Sequence, residues 1–196
     1  MIGLVLAGGK STRLGQDKTA VVHQGQTLLE RSAALLGRHC DQVFISCRYP
    51  ESVPTGLAAI VDQTDRIGPA GGIITALRTL GGPVFALACD LPFMQDRLIA
   101  RLLAARHARP DHCVMTTWQQ PESGFIEALV AIYETEALPF LEAGVAAGQF
   151  KLSRMVPAEL RHCVLYDKED EKFFFNVNYP QDLEKLTASR EQTGSF

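Results

Sequence analysis

Apolar residues in this chain occur in short runs that alternate with longer segments in which they recur at a helical period. A short run that is apolar on both faces is typical of a buried strand, whereas the longer period indicates a helix. The pattern predicts strands at residues 2–7, 43–47, 57–61, 83–88 and 113–117, and helices at about 27–37, 70–80 and 95–107. Alternation of this kind indicates βα units that feed a largely parallel sheet.

The second half of the chain changes rhythm. Its pattern predicts a strand at residues 124–133, a helix at 134–147 and a strand pair at 160–166 and 173–178. We therefore expect mixed strand pairing at one edge of the sheet. Because no repeat and no linker rich in Gly, Ser or Pro divides the chain, we expect one domain over residues 1–188 and a flexible tail at 189–196.

Composition and charge restrict the classes of function. A chain of 196 residues with 46% hydrophobic residues can bury one core, and its net charge of −3 argues against binding nucleic acid or an anionic membrane as its main role. The first residues lack the basic segment of a signal peptide, and no apolar stretch approaches the roughly 18 residues of a membrane span. The five cysteines are scattered without zinc-ligand spacing. We expect a cytoplasmic protein that binds neither nucleic acid nor membrane.

The loop after the first strand concentrates glycine and positive charge. Gly8 and Gly9 allow the backbone to approach a ligand closely, and Lys10, Arg13 and Lys18 add local cations to an acidic chain. The spacing fits neither a Walker A loop nor a dinucleotide fingerprint. The loop predicts a polyphosphate site of another kind; the alternative is a solvated basic turn.

Two further strand ends carry an acid. Asp90 follows the apolar run 83–88 and is placed to hold Mg²⁺ on a triphosphate, although an Asp at that point could instead turn the chain or cap the next helix. Asp62 precedes a glycine-rich turn at 68–72, whose glycines could instead serve helix packing. Ligands of α/β sheets bind outside the carboxyl ends of strands, so a shared crevice explains all three features best.

Taken together, these segments resemble the signatures of the molybdenum cofactor guanylyltransferases, a MobA-like family of nucleotidyltransferases. The resemblance runs in order over about residues 2–186. The similar segments are LAGGKSTRLGQDK at 6–18, GPAGG at 68–72, CDLPF at 89–93, EALVAIY at 127–133 and FNVNYPQDL at 175–183.

The resemblance implies a fold and a reaction. The fold is a three-layer α/β/α Rossmann-like nucleotidyltransferase fold with a mostly parallel central sheet and an antiparallel edge. In the reaction, the terminal phosphate of molybdopterin attacks the α-phosphorus of GTP and displaces pyrophosphate.

The resemblance also implies roles for particular residues. Lys18, Arg13 and Asp90 would be catalytic, with Asp90 binding Mg²⁺ and the two cations offsetting charge on the pyrophosphate. Asn176 and Asn178 would face the acceptor. The nucleotide would contact Leu6, Ala7, Gly8, Gly9, Lys18, Asp62 and Asp90.

The sequence leaves alternatives for the nucleotide substrate, the acceptor and the protein partners. Cytidylyltransferases of molybdopterin generally have LAAG at the loop, so Gly8 followed by Gly9 favours GTP over CTP; Arg48 stands where the family often has an Asn that touches the nucleotide. Sugar-phosphate nucleotidyl transfer is a second enzymatic alternative. A non-catalytic protein that delivers the pterin cofactor to a molybdenum or tungsten apoenzyme is a third. Other cofactor-synthesis proteins are further candidate partners.

Trp118 falls in a segment expected to form a loop tip. At such a tip it would either anchor the loop by packing or stack on a pterin.

Overall fold

The computed structural model describes residues 1–7, 20–54, 56–63 and 67–191. Within these ranges the strands and α-helices, in chain order, are β1 (Ile2–Leu6), β2 (Val22–His23), β3 (Gln26–Thr27), α1 (Leu28–Gly37), β4 (Gln42–Cys47), β5 (Ala58–Val61), α2 (Pro69–Leu80), β6 (Val84–Ala88), α3 (Asp96–His107), β7 (Met115–Gln119), β8 (Ile126–Tyr133), α4 (Leu138–Ala146), β9 (Arg161–Leu165) and α5 (Pro180–Glu191).

Seven of these strands form one sheet in the order β5-β4-β1-β6-β8-β7-β9. The first four run parallel, with Leu4 of β1 opposite Phe44 on one side and Ala86 on the other. The antiparallel pairings lie toward the other side of the sheet, where β8 runs against both β6 and β7, and β9 is parallel to β7. The start of β8 therefore lies at the same edge as the carboxyl ends of β1 and β6. This arrangement confirms the predicted fold class.

Side chains that alternate along β1 point into two separate cores. Leu4 and Leu6 belong to a cluster with Ile73 of α2 and Leu141 of α4. On the other face, Val5 belongs to a cluster with residues of α1 and α3. All of β6 is buried, as expected for a central strand with helices on both faces. The result is the predicted three-layer α/β/α architecture.

The sequence places Thr27 at the start of the predicted helix 27–37 with Glu30 three residues later, and the two form a capping box at the start of α1. The Glu30 amide donates to Thr27 Oγ1 at 3.1 Å, and the Thr27 amide donates to Glu30 Oε2 at 2.9 Å. The sequence pattern did not predict the preceding β2–β3 hairpin, because its strands have only two residues each. Its turn uses Gln24 and Gly25, with φ angles of 52° and 82°.

The predicted strand at 173–178 was wrong. Glu171–Phe174 form a 3₁₀ helix, and no strand follows before α5. The apolar run is explained by burial instead, since Phe173 and Phe174 pack into the core beside α3. The other predicted partner, β9, pairs with β7.

Trp118 also differs from expectation. It lies within β7 and is completely buried, with its ring against those of Tyr166 and Phe174. The loop tip of the β7–β8 hairpin follows it instead.

No helix within the described ranges is both long enough and apolar enough to cross a membrane. Of the predicted tail, residues 192–196 lie outside these ranges.

Candidate active site

The end of β1 is held between the ends of its two neighbours. The Ala7 amide donates to the Ser46 carbonyl of β4 at 3.0 Å, and the Leu6 carbonyl accepts from the Cys89 amide at 3.3 Å. Three strand ends therefore meet at the point where the glycine-rich loop begins.

Asp62 is fixed at the same edge by a contact that requires glycine nearby. Ser46 Oγ donates to Asp62 Oδ1 at 2.7 Å, and the Asp62 amide donates to the Cys47 carbonyl at 2.9 Å. A Cβ at Gly72 would lie 2.0 Å from Ser46 Oγ and 3.0 Å from Asp62 Oδ1, so a larger residue would displace the pair. Burial raises the pKa of Asp62, while the Ser46 hydrogen bond and the Arg48 charge act in the opposite direction.

The start of α2 explains another part of the glycine-rich turn. Gly68 is the N-cap residue with φ 65° and ψ −151°, a conformation that strongly favours glycine. Pro69 is the first helical residue, where its missing N–H costs no hydrogen bond. The buried Gly72 then faces Ser46 and Asp62, so these glycines serve both helix geometry and the position of the acid.

Asp90 follows β6 and is tied to the C-terminal segment. Its carbonyl accepts a 2.9 Å hydrogen bond from the Val177 amide, and its Oδ1 is buried. A carboxylate oxygen is the ligand type that Mg²⁺ prefers, and Mg²⁺ commonly takes only one or two carboxylates together with phosphate oxygens and water. Across residues 1–7, 20–54, 56–63 and 67–191, no three or more His, Cys, Asp or Glu side chains cluster as metal ligands. The single Asp90 carboxylate is chemically compatible with a site of that kind.

A cavity of about 980 Å³ adjoins this edge. Pro69 and Leu91 line one part of it, so it extends from α2 and the Asp90 loop toward the start of β8. Asn176 and Asn178 line another part. Asn176 Nδ2 donates to the Phe174 carbonyl at 3.3 Å, which orients the amide. The volume of the cavity is at the upper end of the range for small-molecule sites.

Glu127 also lines this cavity and was not among the site residues predicted from the sequence. Its Oε1 accepts a 3.0 Å hydrogen bond from the Tyr166 hydroxyl. Burial raises the pKa of Glu127 to about 7, with the Tyr166 hydrogen bond opposing that rise. The sequence signal that could have identified Glu127 was its position as an acidic residue at the start of an otherwise apolar strand.

The structure brings most of the predicted site residues to one edge of the sheet. Leu6, Ala7, Asp62 and Asp90 lie at or just beyond strand ends, and Asn176 and Asn178 flank the Val177 amide that bonds to Asp90. Gly8, Gly9, Arg13 and Lys18 lie outside the described residues. The roles assigned to all of these residues stay predictions.

Comparisons with known proteins agree with this architecture. A family model described as the MobA-like NTP transferase domain matches residues 3–164. The chain is 31% identical to a probable molybdenum cofactor guanylyltransferase of Chloroflexus aggregans, over 96% of this chain and 94% of that protein. It is 33% identical to a molybdenum cofactor biosynthesis bifunctional protein of Synechocystis, covering 95% of this chain but 53% of that longer protein.

Among solved structures, the chain is similar to molybdopterin-guanine dinucleotide biosynthesis protein A from Archaeoglobus fulgidus. The TM-score is 0.78 and the identity 28%, covering 98% of this chain and all of the other.

Proposed function

The chain belongs to the MobA-like NTP transferase family, and we propose that it transfers GMP from GTP to molybdopterin, forming a molybdopterin guanine dinucleotide and pyrophosphate. The observation that carries the proposal is the joining of Asp90 to the segment 176–178 through the Val177 amide. This bond places a candidate cation ligand beside the wall of a cavity large enough for a second substrate.

The reaction requires a new bond between an acceptor phosphate oxygen and the α-phosphorus, and cleavage of the bond from that phosphorus to the bridging oxygen of the β-phosphate. No enzymic nucleophile is needed, because positioning and charge stabilisation can account for such a transfer. Leu6 and Ala7 end β1 where the triphosphate would enter, and Asp62 is oriented by Ser46 toward the same edge.

Charge is the second requirement. A magnesium ion at Asp90 would neutralise phosphate oxygens and orient the leaving pyrophosphate. The Asp90 carboxylate would bind that ion at the end of β6, next to the cavity that receives the acceptor. Arg13 and Lys18, to which the family resemblance gives this role, would offset the negative charge of the pyrophosphate.

Several wider expectations accompany this function. The free cysteines, Cys40, Cys47, Cys89, Cys113 and Cys163, support a reducing compartment such as the cytoplasm. The dinucleotide product would be passed to a molybdenum or tungsten apoenzyme, directly or through other cofactor-synthesis proteins.

The test is pyrophosphate release with Mg²⁺, molybdopterin and one of GTP, CTP, ATP or UTP. Release with GTP well above the other nucleotides is expected. Release with CTP alone would replace guanylyl by cytidylyl transfer, and release with a sugar phosphate but not with molybdopterin would change the acceptor class. Tight pterin binding without any transfer would favour the delivery protein.

A further inference from the structure

Glu127 places a carboxylate in the wall of a cavity that is lined in part by aromatic side chains. Such a carboxylate favours a ligand that carries hydrogen-bond donors. Glu127 is half-buried at the cavity wall, and one of its oxygens is occupied by the Tyr166 hydroxyl. A carboxylate carries about four acceptor positions, so one such bond leaves capacity for at least two further donors, one on each oxygen. Burial of this kind costs free energy unless a partner compensates it.

Strand register places Glu127 near the reacting end of the site. Leu87 of β6 lies opposite Val130 of β8, and the two strands run in opposite directions. Moving back along β8 from Val130 to Glu127 therefore corresponds to moving forward along the other strand, past its end at Ala88 toward Asp90. Glu127 and Asp90 are thus at the same edge of the sheet, with the cavity beginning beside them.

Flat aromatic surfaces accompany the carboxylate. The rings of Tyr166 and Phe174 lie 4.4 Å apart between centroids with an interplanar angle of 31°, and both side chains line the cavity. Trp118 packs behind them, 5.9 Å from Phe174 and 6.5 Å from Tyr166. A rigid aromatic wall with an acceptor at its side suits a planar heterocycle that carries N–H donors.

We infer that Glu127 is a specificity-determining residue that binds the 2-amino-4-oxopyrimidine edge of a fused-ring substrate, with Tyr166 as its positioning residue. In that edge an amino group and a ring N–H lie side by side and donate to the two oxygens of one carboxylate. The inference rests on the proposed function, because the pterin of the acceptor carries this edge.

Guanine carries the same hydrogen-bonding edge as the pterin. The ligand of Glu127 must therefore be assigned either to GTP or to the acceptor. The cavity lining includes Glu127, Asn176 and Asn178, whereas Leu6, Ala7 and Asp62, all of which the structure describes, do not line it. These three predicted nucleotide residues thus lie on the β1 side of the sheet, and the carboxylate of Glu127 lies on the β8 side. The geometry assigns Glu127 to the acceptor's pterin.

Direct binding tests the recognition without requiring turnover. Fluorescence titration would compare pterin with lumazine, in which a carbonyl replaces the 2-amino group and would face the carboxylate. The wild-type protein should bind pterin about 10-fold or more tightly than lumazine, because a charge-assisted hydrogen bond is lost in lumazine. Glu127→Gln should remove this preference, and Glu127→Asp should retain part of it. Glu136→Gln, an exposed acid beyond the other end of β8, is the matched control and should change nothing.

Steady-state kinetics then show whether Glu127 binds the pterin of the acceptor or the guanine of GTP. Glu127→Gln should raise KM for molybdopterin about 10- to 100-fold and leave KM for GTP and the preference for GTP over ITP unchanged. A rise in KM for GTP, with loss of discrimination against ITP, would overturn the assignment to the acceptor. Equal binding of pterin and lumazine by the wild-type protein would overturn the recognition itself.

Tyr166→Phe has a readout that separates positioning from structure. It should leave the ratio of pterin to lumazine affinity above one but move the pH midpoint of pterin binding upward, because a hydrogen bond that favours ionised Glu127 is lost. An unchanged midpoint would overturn the positioning role.

A wild-type protein that releases no pyrophosphate with GTP and molybdopterin would refute the proposed function. The pterin titration would still decide the role of Glu127.

Discussion

The Val177 amide donates a 2.9 Å hydrogen bond to the Asp90 carbonyl, which joins the C-terminal segment of the chain to the end of the central strand β6. Asp90 is thereby linked on one side to the sheet and on the other to residues that line the cavity. A substitution at either end of this hydrogen bond should therefore alter the geometry at the other end.

The first prediction concerns Asp90. Replacing it with Asn keeps the shape of the side chain but removes the charge that would bind Mg²⁺, so GTP-dependent pyrophosphate release should fall by about 10²-fold or more. Titration of GTP in EDTA should be little changed. Asp111→Asn is the control, since this exposed acid precedes β7 at the opposite edge of the sheet. Activity of Asp90→Asn close to wild type would exclude Asp90 as the metal ligand.

The second prediction concerns Gly72. In Gly72→Ala the new Cβ would lie 2.0 Å from Ser46 Oγ, so the pair of Ser46 and Asp62 must move. We expect a loss of about 1 to 3 kcal/mol in the free energy of unfolding and a higher KM for GTP. Gly37→Ala is the matched control, because a Cβ at this helical position meets nothing within 4 Å. If the two variants had the same stability and the same KM, the close approach would not constrain the site.

The third prediction concerns Asp170, a buried acid that forms ion pairs with Arg97 and, at 3.8 Å, with Arg101 of α3. It immediately precedes the 3₁₀ helix that ends at Phe174. Asp170→Asn should lower stability by about 1 to 3 kcal/mol, the arginines being half-exposed, and should raise KM for the acceptor more than KM for GTP.

A matched control for Asp170 is Asp96→Asn. Asp96 pairs with Arg38 at 2.6 Å on the surface, so its replacement should leave the melting temperature and both KM values near wild type. Equal effects of the two substitutions would remove the special role of Asp170.

The fourth prediction is a pH dependence of acceptor binding. Burial raises the pKa of Glu127 to about 7, and the ionised form is the one that accepts two N–H donors. The KM for molybdopterin should therefore fall as the pH rises from 6 to 8, and this dependence should disappear in Glu127→Gln. The charged groups that share the cavity are Lys151, Lys168, Glu171 and Lys172. A profile unchanged in Glu127→Gln would assign the titration to one of these groups or to the substrate.

Stability should change in the opposite direction over the same range. Because the folded-state pKa of Glu127 lies above its ordinary value of 4.5, the folded protein binds this proton more tightly than the unfolded chain. The contribution is complete below pH 4.5 and is lost as the pH rises through 7, amounting to at most roughly 3 kcal/mol. Urea unfolding of wild type and Glu127→Gln at pH 5 and 8 would measure it. A difference between the proteins that did not change with pH would contradict the raised pKa.

The sequence predicted the fold where the period of the apolar residues was unambiguous. The buried strands β1 and β6, the helix α3 and the capping box of Thr27 and Glu30 all follow from local pattern. The run of three phenylalanines at 173–175 misled the prediction, because continuous apolarity cannot distinguish a buried strand from a 3₁₀ turn packed on the core. The long separation in sequence between Trp118 and the pair Tyr166 and Phe174 likewise concealed the aromatic cluster that the three form.

The candidate site was predictable in part for the same reason. Asp62 and Asp90 follow apolar runs directly, and parallel strands bring such ends together. The rest of β8, all of α4 and all of β9 separate Glu127 from its partner Tyr166 in the sequence. Glu127 reaches the site only because β8 runs against β6. Local pattern cannot supply that long-range orientation.

The reversed direction of β8 has a consequence for how this scaffold can diversify. The nucleotide would contact the βα half of the chain. The acceptor would contact a wall built from the β7–β8 hairpin and the segment before α5. Substitutions in the hairpin can alter that second wall while the hydrogen bonds at the end of β1 stay in place. Grafting residues 120–127 from a relative that uses another acceptor should accordingly exchange one preference and preserve the other, so the two halves can evolve as separate modules.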